Sequence, residues 1–143
     1  MKRLTASFRL LTSTLAMSLA VPAWAQSAPA LSLELNAAQP SEKGCRLTFV
    51  VNNALGSDLS KAAFEIALFN QAGVVDRLTV LDFKDLPAGK TKVTRFDLAG
   101  ADCGKLSRVL INSATECAGT GVEPAACMRA LKTSTKTAIA FGV

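Results

Sequence analysis

Residues 44–53 read Gly44-Cys45-Arg46-Leu47-Thr48-Phe49-Val50-Val51-Asn52-Asn53. In an extended chain successive side chains point to opposite faces, so Leu47, Phe49 and Val51 share one face and Arg46, Thr48 and Val50 the other. Aromatic and β-branched residues favour this conformation, and Gly44 and the Asn52-Asn53 pair supply turn chemistry at its two ends. A strand with one apolar face needs a second layer to bury it.

Working outward, the same alternation recurs. It runs through residues 31–35 (Leu31, Leu33 and Leu35 on one face), 64–68, 74–83, 93–98 (Phe96 and Leu98 inward), 106–112 and 137–141. An irregularity is expected around Asp76-Arg77. The segments between carry turn residues: Gln39-Pro40-Ser41-Glu42-Lys43-Gly44, Asn52-Asn53-Ala54-Leu55-Gly56-Ser57-Asp58, Asn70-Gln71-Ala72-Gly73 and Leu86-Pro87-Ala88-Gly89-Lys90. Short strands spaced this way predict an all-β sandwich rather than βαβ units. One segment departs from the pattern. Residues 123–132 favour a short helix, with Pro124 suited to its first turn and Lys132 near its C-terminal end. It reads as an insertion between the last two of about seven strands.

The first 25 residues have the order of an export signal. Lys2, Arg3 and Arg9 precede an apolar run from Leu10 to Val21, Pro22 breaks it, and Ala23-Trp24-Ala25 offers a small-x-small cleavage site. The run is short and rich in Ser and Thr for a spanning helix, which needs about 20 apolar residues. Cleavage after Ala25 is expected, and residues 26–30 read as a flexible lead-in to one domain, 31–143. The absence of a cysteine after the run argues against a lipid anchor. Lys2-Arg3 is no twin-arginine pair, which points to the general secretory route and a periplasmic destination. Without Lys2, Arg3 and Arg9, 13 basic residues stand against 11 acidic ones, a net charge of about +2. These charges are scattered, which argues against a nucleic-acid surface, and no later apolar run is long enough to span a membrane.

The chain has no His and no Tyr, and its one Trp lies in the export segment. Ser-His-Asp and Cys-His catalysis and histidine metal sites are thereby excluded. Cys45, Cys103, Cys117 and Cys127 are an even set in an exported chain, which reads as two disulfides. Their spacings of 58, 14 and 10 residues lack the close pairs of a zinc site or a redox C-x-x-C. If strands reverse at each end of the sandwich, Cys45 and Cys103 both stand at strand starts at the same end, which favours Cys45–Cys103 with Cys117–Cys127. Four cysteines nonetheless allow three pairings.

Residues 47–98 resemble a bacterial immunoglobulin-like domain of the FxLYD type. The likeness lies in the apolar strand ending in Asn52-Asn53, in Phe64-Glu65-Ile66-Ala67-Leu68-Phe69-Asn70 before a glycine turn and Val74-Val75, and in the Leu86-Pro87-Ala88-Gly89-Lys90 loop. Phe69-Asn70 stands where the family has Tyr-Asp. The mature chain is also similar to small exported alphaproteobacterial proteins often labelled as carrying a Tat signal. That likeness covers Gly44-Cys45-Arg46, Phe96-Asp97-Leu98, Cys103, Arg108-Val109-Leu110-Ile111-Asn112, Cys117 and Cys127. These resemblances imply an immunoglobulin-like sandwich and carry over no active site.

Asp82, Asp85, Asp97 and Asp102 are the nearest approach to a carboxylate cluster. Calcium could use such oxygens, but the D-x-D-x-D-G loop is missing and Lys84, Lys90 and Lys92 are interleaved, so solvated loop charge is the expectation. Arg108 is expected on a face with Leu106 and Leu110, either partly buried and paired to an acid such as Asp97, which the cost of isolating a buried charge favours, or exposed as an interaction residue. Phe141 and Val143 would complete the chain's own sandwich or add to a partner's sheet edge. No catalytic residue, metal ligand or cofactor is expected. The functional expectation is a non-enzymatic periplasmic module that engages another cell-envelope protein through a sheet edge or end loops. Set against it are a stand-alone structural or stress-related envelope protein and a metal protein or hydrolase using carboxylates alone.

Overall fold

The computed structural model describes residues 25–143. The expected export segment, apart from Ala25, lies outside them. Eight strands form two four-stranded sheets. They are β1 (Ala30–Ser41), β2 (Gly44–Ala54), β3 (Leu59–Asn70), β4 (Val75–Leu86), β5 (Thr91–Ala99), β6 (Leu106–Ala118), β7 (Leu131–Thr135) and β8 (Ala140–Gly142). A 3-10 turn, Cys103–Lys105, leads into β6, and one helix, α1 (Ala126–Arg129), lies between β6 and β7. One sheet has the order β5-β2-β1-β7 and the other β4-β3-β6-β8. The all-β sandwich expected from the alternation is therefore present. Lettering β1, β2, β3, β4, β5 and β6 as A, B, C, C′, E and F gives the A-B-E and C′-C-F neighbours of an immunoglobulin sandwich. The end of the chain departs from that scheme: β7 pairs in parallel with β1, and β8 crosses to the other sheet and pairs in parallel with β6.

The alternating apolar residues meet between the sheets. Leu31, Leu33, Leu35, Leu47, Phe49 and Val51 face Phe64, Ile66, Leu68, Leu81, Phe83, Val109 and Ile111, all almost fully buried. Phenylalanine supplies the rings that Trp and Tyr would otherwise provide. Phe49 meets Phe83, Phe96 and Phe141 edge to face at centroid distances of 5.6, 6.0 and 5.4 Å, and Phe83 meets Phe96 at 5.0 Å. Such edge contacts add about 0.5–1.5 kcal/mol each beyond burial. Two disulfides link Cys45 to Cys103 and Cys117 to Cys127. Bonds of this kind form in oxidising compartments. No helix among the described residues is long and apolar enough to cross a membrane.

Bulges modify the period-two reading. The expected irregularity near Asp76-Arg77 is one of them, since Leu68 pairs with Arg77 and Phe69 with Val75, leaving Asp76 unmatched. Another sits at Ser107, between the pairs Phe69–Arg108 and Asn70–Leu106. It changes the facing of β6: Leu106 is buried, but the inward residues beyond it are Val109 and Ile111. Arg108 is thus exposed rather than aligned with Leu106, and its guanidinium lies over the outer face of Phe69, 5.5 Å from the ring centroid.

Two further expectations are corrected near the C-terminus. The helix is four residues long rather than ten, because Ala130 O accepts a hydrogen bond from Leu31 N (2.9 Å) and the chain from Leu131 joins β1 as a strand. Pairing with a preformed edge outweighs local helix preference here. The strand expected at 137–141 shrinks to Ala140–Gly142 and a separate strand, β7, precedes it. Thr135 Oγ1 accepts from Thr137 N (3.0 Å), and Thr137 Oγ1 from Ile139 N (3.0 Å). These side chains take over the backbone groups that a ladder would use.

The sandwich has two lateral seams. Along the β4–β5 seam each edge is capped from the opposite sheet. Lys92 Nζ donates to the Asp85 carbonyl (2.7 Å) and the Phe83 carbonyl (3.3 Å), and Arg77 Nη1 donates to the Ala99 carbonyl (2.8 Å). Charged residues used in this way keep an edge strand from recruiting another chain.

At one end a single buried side chain joins three segments. Asn53, 1 % exposed, donates through Nδ2 to the carbonyls of Leu86 (2.7 Å) and Ser57 (2.9 Å), and its Oδ1 accepts from Leu55 N (3.0 Å). Its backbone oxygen accepts from Gly89 N at 2.7 Å. Asn53→Ala leaves a donor and two acceptors unmatched in the interior. It is expected to cost about 2–4 kcal/mol in chemical denaturation, against less than about 1 kcal/mol for the neighbouring Asn52→Ala. Paired Cys→Ser substitution is expected to cost about 4 kcal/mol at Cys45/Cys103 and about 2–3 kcal/mol at Cys117/Cys127. Melting of the two double variants checks the order.

Candidate functional site

The strand ends on the Asn53 side hold the loops between β2 and β3, β4 and β5, and β6 and β7. In variable immunoglobulin domains the B–C and F–G loops at one end carry the combining site; here the first loop has the B–C position and the third leaves the F-like strand β6 at the same end, though it leads into β7 beside β1. Residues 119–130, between β6 and β7, are the longest connection. The Cys117–Cys127 bond ties α1 to β6, and Cys127 is fully buried. Arg129 Nη2 donates to Glu123 Oε2 at 2.7 Å across the first turn, and Ala126 N to Glu123 O at 2.9 Å. A Cβ on Gly119 would collide with the Asp58 carbonyl, so glycine permits the close approach of the β6–β7 loop to the β2–β3 loop. Asp58 in turn accepts Ala88 N at 2.7 Å, which draws in the β4–β5 loop.

Between these loops lies an open hollow of about 450 Å³. Leu55, Val122, Ala126, Ala130 and Pro29 form its apolar wall, and Ser57 and the Glu123–Arg129 pair stand at its rim. A second hollow of about 500 Å³ shares Ser57 and is of mixed character, lined by Asp58, Ser60, Asp85 and Thr120 together with Leu59 and Pro87. Together they make a concave end held by a disulfide, a buried asparagine and an aspartate hydrogen bond. The first hollow suits an apolar side chain flanked by hydrogen-bonding groups. It brings no nucleophile to a base, and none of the four cysteines is free.

The residues singled out in the sequence are dispersed. Asp97 lies at the opposite end of β5, where Arg46 Nε donates to Oδ1 (2.9 Å) and Nη2 to Oδ2 (3.2 Å). This pairing, and not one with Arg108, takes up the Asp97 charge. Asp82 accepts from Lys84 Nζ at 2.7 Å, Asp85 from Lys92 Nζ at 3.3 Å, and Asp102 caps Gly104 N at 2.9 Å. Among the described residues no three carboxylates or cysteines converge as a metal ion would require. Leu55, Val122, Glu123 and Arg129 were not singled out by sequence reasoning. The one available signal was the short Cys117–Cys127 loop, with Gly119 and Gly121 inside it.

The second sheet, β4-β3-β6-β8, has an unusual outer face. Val75, Leu78 and Val80 are 49, 55 and 51 % exposed on edge strand β4. The outer face of the first sheet carries Glu34, Arg46, Arg95 and Asp97 around one strongly exposed apolar residue, Val93.

The Arg46 guanidinium, through its hydrogen bonds and then its charge, holds the Asp97 carboxyl below the usual carboxylate range; Lys84 does the same for Asp82. A lowered folded pKa contributes stability above the unfolded value of about 4, and that contribution is lost as pH falls through the folded value. The stability difference between the native chain and Asp97→Asn is therefore expected at pH 7 and to shrink in acid as the pH falls past the unfolded value and through the lowered folded one. Denaturation curves across pH 2–7 check the sign.

Compared with protein-family models, with curated proteins and with solved structures, the chain matches none of them.

Proposed function

We propose that this chain is a non-enzymatic binding module of the bacterial periplasm that engages another cell-envelope protein through its Asn53 end. The observation that carries the reading is the hollow of about 450 Å³ between the β2–β3 loop and the disulfide-tied β6–β7 loop. Loops immobilised before binding lose less entropy when a partner docks, so a small surface can hold a specific contact. The occupant fitted by Leu55, Val122 and Ala126 is an apolar side chain on an exposed segment of the partner, with polar groups beside it for Ser57, Glu123 and Arg129. The export signal read in residues 1–25 and the two disulfides support the compartment. The likeness to FxLYD-type domains belongs to the same reading, and the position of the loops is an argument from fold alone.

In-cell cross-linking of the processed protein, followed by mass spectrometry, tests it. One reproducible envelope partner is expected, reduced at least tenfold by Val122→Asp and by Leu55→Asp while both variants keep the native melting temperature within a few degrees. Absence of any partner above background, or a partner indifferent to both substitutions, overturns the reading.

A further inference from the structure

The outer face of β4-β3-β6-β8 is distinct from the loop end and carries a self-complementary pattern. Strand register sorts the half of it away from the Asn53 end into three rows, beyond which lies the ion-paired row of Asp82, Ala63 and Glu116. Val75, Phe69 and Arg108 form one; Leu78, Ala67 and Leu110 the next; Val80, Glu65 and Ser113 the third. The middle row is wholly apolar. Each outer row holds one charge that has no ion-pair partner among the described residues: Arg108, resting on Phe69, and Glu65, whose Oε1 accepts only Asn112 Nδ2. The two charges lie four residues apart along the strands, about 13 Å, too far to meet within one chain.

We infer that this face binds a second copy of the chain. Two sheets that meet face to face by a two-fold rotation have their axis in the interface plane. An axis running across the strands through Ala67 places each middle row on its counterpart and the Arg108 row of one copy over the Glu65 row of the other. Val75 then meets Val80, and Arg108 has only one strand spacing, about 4.8 Å, to cross to the partner copy's Glu65. Both unpaired charges are thereby matched, twice, by symmetry. Nothing on the flank obstructs the approach, because β8 adds only Ala140 and Gly142 beside Arg108 and Leu110. Aligned packing at about 30° lets the leucines of the middle rows pass beside one another. Three rows on three strands span roughly 13 by 10 Å of backbone, a smaller patch than the interface of about 800 Å² per partner that stable complexes bury, so association in the micromolar range is expected.

Sedimentation of the mature chain, residues 26–143, from about 1 µM to 1 mM, tests the inference together with a charge swap. The native chain is expected to shift from monomer to dimer across that range. Leu78→Lys is expected to keep it monomeric with unchanged melting. Arg108→Glu and Glu65→Arg are each expected to weaken the dimer about tenfold or more, and the two together in one chain to restore it to within a few-fold. A monomer at every concentration overturns the inference, as does a dimer in which the swapped chain is no tighter than the single variants. The envelope-partner reading is tested on the opposite end of the strands and is unaffected by either outcome.

Discussion

Asn53 is the point on which the architecture turns. A sandwich must reverse its chain at each end, and every reversal leaves backbone groups that neither sheet can pair. At this end the β2–β3 loop and the last residue of β4 direct such groups at one side chain, which has two donors and an acceptor to offer, while the β4–β5 loop bonds the backbone oxygen of the same residue. Nδ2 takes the Leu86 and Ser57 carbonyls and Oδ1 the Leu55 amide. Since an unmatched buried polar group costs about 1–3 kcal/mol, the position tolerates no apolar substitute of similar size. On the β2–β3 side, the loop geometry that sets Leu55 beside the hollow rests on this arrangement.

How far the fold was legible in the sequence can be seen strand by strand. Where alternation is unbroken, as in Leu31 to Leu35, Cys45 to Val51 and Phe64 to Leu68, the inward face observed is the face expected. The turns with Gly, Asn and Pro were equally plain. Bulges are where the reading fails, because one unmatched residue reverses every facing after it. Asp76 announced itself by placing a charge in an apolar run. Ser107 did not, being small and polar in a strand that tolerates such residues on either face, so Arg108 leaves the face of Leu106 and makes no ion pair with Asp97. The C-terminal segment failed for another reason. Residues 123–132 have real helix preference, and what ends the helix at Arg129 is the edge of β1, a hundred residues earlier in the chain.

The disulfide pairing was accessible because strand direction alone puts Cys45 and Cys103 at one end. The hollow was not, since its wall is drawn from Pro29, Leu55 and residues 121–130, and no local pattern joins these. Charges behaved in the same way. Four aspartates near one another in sequence are separated by the pleat and taken up by Lys84, Lys92, Arg46 and the Gly104 amide. On the outer face of the second sheet, Glu65 and Arg108 have no ionic partner among the described residues, and their placement depends on cross-strand register.

The parallel pairing of β1 with β7 also sets an order in time. Leu31 lies beside Leu131, so the first strand to be made waits for nearly the last. A chain that emerges N-terminus first, from a ribosome or from a secretion pore, can form the β1–β2 and β3–β4 hairpins early. It cannot close the first sheet until residue 135 is free. Pairings over such separations form late because loop-closure entropy must be overcome first. Until the C-terminal residues arrive the β1 edge stays open, and Phe141 has not yet reached Phe49. The topology therefore leaves the first sheet incomplete until the segment Leu131–Thr135 has emerged.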